Sequence, residues 1–143
     1  MSGNRHKARE FAVQGIYQWL LNRQPASELV KQLREDAGFA EIDEAMFLAL
    51  LNGTIEAADQ LDLKLSRYVD RAISALSPVE HAVLLLGTQE LLQHKEVPYR
   101  VVINEAVELT KTFGGTDGHK YVNGVMDKLA AELRSVEMNK PRR

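Results

Sequence analysis

Along this chain apolar side chains recur every three or four residues, and no long stretch alternates apolar with polar. A period near 3.6 gives a helix one buried face, whereas a half-buried strand needs a period of two, so the pattern confines the chain to an all-α fold. A first helix is expected over 4–22, stopping before Pro25, followed by a short one that turns Leu29 and Leu33 inward. Asp43 is placed to cap a long helix with the stripe Phe47, Leu50, Thr54, Ala58, Leu61, Leu65 and Tyr68. A weaker segment over 69–76 leads to Ser77-Pro78-Val79-Glu80, where Ser77 suits the cap, Pro78 the first helical position and Glu80 the far end of a capping box. That helix carries Val83, Leu84, Leu86, Leu91 and Leu92 and ends near Lys95. Pro98 opens the next, with Val102, Ala106, Leu109 and Phe113 inward, and Gly114 and Gly115 close it. A last helix over 118–136 presents Val122, Val125, Leu129, Leu133 and Val136. The expectation is about seven helices in two packed bundles forming one domain over 1–143, with halves at about 1–70 and 71–136 and a basic tail over 137–143.

Several classes of function drop out early. The chain has no cysteine, which removes disulfides, thiol nucleophiles and Cys-type zinc sites and fits a reducing cytoplasm. No apolar run approaches the length needed to span a bilayer, so no membrane role is expected. The histidines at 6, 81, 94 and 119 are scattered. Glu90 and His94 share a helical face, but two ligands do not make a metal site, and they read as a solvated polar face. Glu105 and Glu108 have no histidine partner on their helix, and no nucleophile elbow or dinucleotide fingerprint occurs. Neither an enzyme nor a cofactor or metal is expected.

Charge distribution points toward binding. The net charge is −2, yet Arg5, Lys7 and Arg9 stand without an acid in the first nine residues, and Lys140, Arg142 and Arg143 close the chain. The intervening body holds the other 12 basic and all 20 acidic side chains, a net −8. Basic arms on an acidic body suit a polyanion at the arms and other partners elsewhere, and equally suit solvated termini. On a wheel, Ala8, Phe11, Ala12, Gly15 and Trp19 form the core face of the first helix, with His6, Val13 and Tyr17 opposite and Arg9 nearby. An unburied Tyr17 beside basic groups is what single-stranded RNA requires, a ring for a base and charges for phosphates. Packing of Tyr17 against another helix is the alternative. The loop over 114–118 is no Walker motif, but Lys120 falls in the first turn of the last helix, where free amides and the dipole favour an anion, and Tyr121 is adjacent.

These residues also carry a resemblance. Arg9-Glu10, Ala12-Val13-Gln14 and Tyr17 to Trp19 resemble the opening of the NusB family of bacterial transcription antitermination factors. More specific is the run from Val97-Pro98-Tyr99-Arg100 through Asn104-Glu105-Ala106, Glu108-Leu109, Lys111 and Phe113-Gly114. Asp117, His119-Lys120-Tyr121-Val122-Asn123-Gly124-Val125 and Asp127-Lys128 follow at the same spacing. The match is strong over 5–20 and 77–128 and only a hydrophobic pattern over 22–70.

The resemblance implies two packed helical bundles and no catalysis. It implies binding to boxA RNA alongside the small-subunit ribosomal protein that doubles as NusE, with read-through by RNA polymerase in ribosomal RNA operons as the outcome. Position by position, it implies that Arg5, Lys7 and Arg9 face RNA phosphates. His6 replaces an arginine-rich position, which makes its contact weaker or pH-sensitive. Tyr17 matches a tyrosine placed against RNA, and Tyr121 keeps a ring where phenylalanine is common. Asp117 matches an acid at the RNA and partner surface, and Glu80 a glutamate gripping the ribosomal protein. A protein–protein adaptor with weak or no RNA binding is the competing reading. Leu20 and Leu21 near the same face would suit a homodimer.

Overall fold

The computed structural model describes residues 3–115 and 117–139. Its α-helices are α1 (Arg5–Asn22), α2 (Ala26–Leu33), α3 (Glu44–Leu65), α4 (Pro78–Gln93), α5 (Tyr99–Phe113), α6 (Gly118–Leu133) and α7 (Ser135–Met138), with 3₁₀ turns at Ala37–Glu41 and Ile73–Ala75. No helix among the described residues is long and apolar enough to cross a membrane.

The caps follow the chemistry of the sequence. The Asn4 side chain accepts from the Lys7 amide at 2.8 Å, that of Asp43 from Met46 at 3.1 Å, and that of Ser77 from Glu80 at 3.1 Å. Each satisfies an orphan N–H of a first turn. Asn4 also pairs with the strand-like residue before α3: its amide donates to Glu41 O at 2.8 Å and its carbonyl accepts from the Asp43 amide at 3.2 Å. The starts of α1 and α3 are therefore fixed together. At the other end of α1, Arg23 takes a left-handed conformation (φ 55°) usually left to glycine, and its guanidinium stacks on the Trp19 ring 4.0 Å from the centroid.

α4 is the axis of the molecule. Every residue from Ala82 to Leu91 is buried, and the helix packs against α1, α3, α5 and α6 at once. A helix with no polar face of its own must lie inside. One apolar cluster runs from Ala8 on α1 to Ala130 on α6, with Phe11, Phe39 and Phe47 in edge-to-face contact within it.

Four expectations fail for physical reasons. The segment over 69–76 forms only the turn at Ile73–Ala75, since a stretch this short closes few helical hydrogen bonds against the cost of nucleation. The last helix breaks at Arg134 (φ −126°, ψ 32°), which rotates Val136 out of register and leaves it 78% exposed. Val13, placed opposite the core, is buried, because α1 packs against α3 on one side and α4 on another. Trp19, placed on the core face, is half-buried at the helix end, with Arg23 over its ring.

Candidate nucleic-acid interface

α1 and α5 run in the same sense, since His6 and Arg9 meet Glu105 midway along α5 while Tyr17, further along α1, shares a cleft with Phe113 at the end of α5, so the two ends of α1 have different neighbours. At the first end the basic group predicted from sequence divides. Arg5 is exposed, its guanidinium 4.0 Å from Asp43, and Lys7 is half-exposed with Nζ 3.1 Å from Glu41. Both pairs are solvated and contribute little to stability, so both cations can exchange partners.

Arg9 does not belong to that exposed group. It is buried, with Nε donating to Glu90 Oε1 at 2.9 Å and Nη2 to Glu90 Oε2 at 2.6 Å. Its Nη1 also lies 3.7 Å from Glu105. The wheel missed this because α4 covers that side of α1. Burial alone disfavours the guanidinium charge, but the hydrogen bond and charge of Glu90, with Glu105 behind it, outweigh it and raise the pKa above its ordinary value. Glu90 is correspondingly no solvated face, and Glu105 does have a histidine partner: His6 Nδ1 lies 2.6 Å from its Oε2. The partner comes from α1, not from the glutamate's own helix. His6, Arg9, Glu90 and Glu105 thus form one polar chain locking the start of α1 to α4 and α5.

At the other end, Tyr17 is half-buried against the core and borders a cleft of about 470 Å³ between α1, α2 and the facing ends of α4 and α5. Gln14, Leu29, Val79 and Phe113 also line it. The loop of interest leaves directly from Phe113. Gly114 packs beside Val79, and a Cβ on Gly118 would lie 2.9 Å from Glu80 Oε2, so glycine there lets the glutamate approach the start of α6. The Glu80 carboxylate is turned toward that start. Asp117 and Lys120 project into solvent, 85% and 77% exposed, and Thr116 lies outside the described residues, as do Lys140, Arg142 and Arg143.

Tyr121 is not an open platform. The Arg71 guanidinium lies over its ring at 4.3 Å, and its hydroxyl accepts from the Asp70 amide at 3.3 Å. Arg71 was not singled out from sequence, since residue 71 belongs to a segment with neither helical period nor a motif. Burial pushes the Tyr121 hydroxyl pKa up, while the Arg71 hydrogen bond, aided by that hydroxyl, holds the Asp70 carboxyl below the usual carboxylate range. The charged Asp70–Arg71 pair is therefore intact at neutral pH and is lost as pH falls through the depressed Asp70 value. Arg71→Ala should raise the Asp70 midpoint in a carboxyl-carbon NMR titration, and an unmoved midpoint would rule out the pairing.

The fold and these features define an all-helical protein with exposed cations near the start of α1, a ring-lined cleft further along it and an acid-and-base loop leading from that cleft. The chain belongs to the NusB family, whose model matches residues 6–131. It is 56% identical over 139 residues to the transcription antitermination protein NusB of Chromobacterium violaceum, covering 96% of this chain and 93% of that protein. T. maritima NusB superposes with a TM-score of 0.81 at 28% identity, covering 92% of this chain and 94% of that one. A crystal structure of antitermination factors NusB and NusE in complex with double-stranded RNA shares the fold, with a TM-score of 0.79 at 24% identity, over 89% of this chain and 96% of that one.

Proposed function

We propose that this protein is a transcription antitermination factor that binds boxA-type single-stranded RNA together with the small-subunit ribosomal protein acting as NusE. Through that complex it promotes read-through by RNA polymerase in ribosomal RNA operons. It works by binding and not by catalysis, in the cytoplasm. What supports the reading is the pair of features along α1: exposed Arg5 and half-exposed Lys7 near its start, and Tyr17 further along it in a cleft with Phe113, from which the loop bearing the exposed Asp117 and Lys120 departs. The name of the Chromobacterium violaceum relative, at 56% identity, supports the same function.

In this reading Arg5, Lys7 and Lys120 hold phosphates and Tyr17 stacks a base. His6 adds a contact only when it is released from Glu105. Arg9 serves indirectly, by fixing the angle of α1. Tyr121 offers its edge, or its face once Arg71 moves aside. Asp117 and Glu80 face the ribosomal protein.

Fluorescence anisotropy with a labelled boxA oligoribonucleotide tests the scheme. Tyr17→Ala should weaken binding about 5- to 150-fold, the equivalent of about 1–3 kcal/mol of base stacking. Arg5→Ala with Lys7→Ala should flatten the log–log salt dependence by about 1.4, two single-strand phosphate contacts. Helicity should be unchanged in both. Variants that bind like the parent would remove this site. The burial of Arg9 leaves fewer free cations than the sequence promised and favours a second reading, a protein–protein adaptor. In that case affinity for the ribosomal protein would be unaffected by added RNA.

A further inference from the structure

We propose that the cleft beside Tyr17 is a pocket for one unpaired nucleobase, whose edge is read by the carboxamides of Gln14, Gln18 and Gln32. This rests on the RNA-binding reading and adds to it a place where sequence is discriminated. Gln14 and Gln18 sit four residues apart on one face of α1, and Gln32 comes from α2 across the cleft. Among the described residues none of the three carboxamides has a hydrogen-bond partner. Among the described residues, none that lines the cleft is charged.

That combination selects its occupant. A phosphate would find no cation in the cleft, and a charged peptide side chain no counter-ion. A nucleobase is neutral, flat and edged with paired donors and acceptors. A carboxamide presents one donor group and one acceptor in a plane, the complement of such an edge. Apolar walls at Leu29, Val79 and Phe113 give the faces of a base a surface to pack against. The volume, about 470 Å³, lies within the range of small-ligand pockets, with room for a base and part of its sugar. The phosphates would stay outside the cleft, in solvent.

Gln18 and Gln32 are exposed side chains, so methionine at either position should leave the fold intact. The experiment has two arms. In the first, the parent, Gln18→Met and Gln32→Met bind boxA oligoribonucleotides in which each position is varied through all four bases. The parent should discriminate about tenfold or more at one position, and both variants should lose that discrimination while keeping the parent's salt dependence. In the second, the side-chain amide resonances of Gln14, Gln18 and Gln32 are followed while each nucleoside 5′-monophosphate is added. One or two of the four should shift them saturably. Base discrimination that survives both substitutions, with amides unmoved, would overturn the pocket and leave RNA binding standing. Saturable shifts without any RNA binding would keep the pocket and overturn the antitermination reading, and neither response would end both. Amides that respond only to the ribosomal protein would assign the cleft to that partner and overturn the proposal.

Discussion

Arg9→Met should lower the unfolding free energy by about 3–5 kcal/mol, because it leaves the Glu90 carboxylate buried with no counter-charge. Glu90 is 1% exposed and takes two donors from one guanidinium, so no water can replace what is lost. Against a total stability of about 5–15 kcal/mol for a natural domain, this is a large share. Urea denaturation followed by circular dichroism reads it directly. The double variant Arg9→Met/Glu90→Met should recover most of the loss, since an apolar pair of similar volume is often as stable as a buried ion pair. The same variants separate structure from binding. If Arg9 only orients α1, the folded double variant keeps the parent's RNA salt dependence. A stable Arg9→Met with a shallower salt dependence would instead make Arg9 a phosphate ligand, as the resemblance alone implied.

Arg9 also marks where the sequence stopped being legible. The period of 3.6 located α1, α3, α4, α5 and α6 because each carries apolar residues at helical spacing, and Asp43 and Ser77 marked the starts of α3 and α4 through local hydrogen bonds. A helical wheel assumes one buried face. α1 has two, which is why Arg9 and Val13 were read as facing outward when both are buried. The Arg9–Glu90 contact spans 81 positions and His6–Glu105 spans 99, so no local pattern could announce either. Arg71 over Tyr121 was hidden for the same reason. The cleft depends on Leu29, Gln32 and Leu33 of α2, a stretch where the family resemblance is no more than apolar spacing. The exposure of residues 5, 117 and 120 was legible because each lies at a helix start or in a loop, whereas Tyr17, read as pointing away from the core, is half-buried against it.

Arg134→Met should cost a comparable amount, about 3–5 kcal/mol, at the opposite pole of the molecule from the cleft. Arg134 is 4% exposed, where α6 breaks, and its guanidinium closes the end of α4. Nε donates to Leu91 O at 2.8 Å, Nη1 to Val97 O at 3.0 Å, and Nη2 to His94 O at 3.1 Å. These carbonyls belong to the last turn of α4 and the connection to α5; without the guanidinium those of Leu91 and Val97 are buried acceptors with no donor, while His94 O keeps only the Val97 amide. Nη1 also donates to Glu137 Oε1 at 2.6 Å, and the other oxygen of that carboxylate accepts from the Tyr99 amide at 2.9 Å, so one side chain ties α4, α5 and α7 together. Arg134→Lys should restore only part of the stability, because an ammonium has three donors at a point and cannot reproduce the planar fork. Amide exchange should quicken first at Val97 and Tyr99, where the connection loosens. The start of α6 at Gly118 lies about 24 Å from Arg134 along the helix, at a rise of about 1.5 Å per residue. RNA affinity of the folded fraction should therefore stay at the parent value. A loss of affinity in a variant that is still fully folded would mean that the α4–α5 corner and the cleft are coupled through the axis of the molecule, and that α4 transmits strain as well as packing.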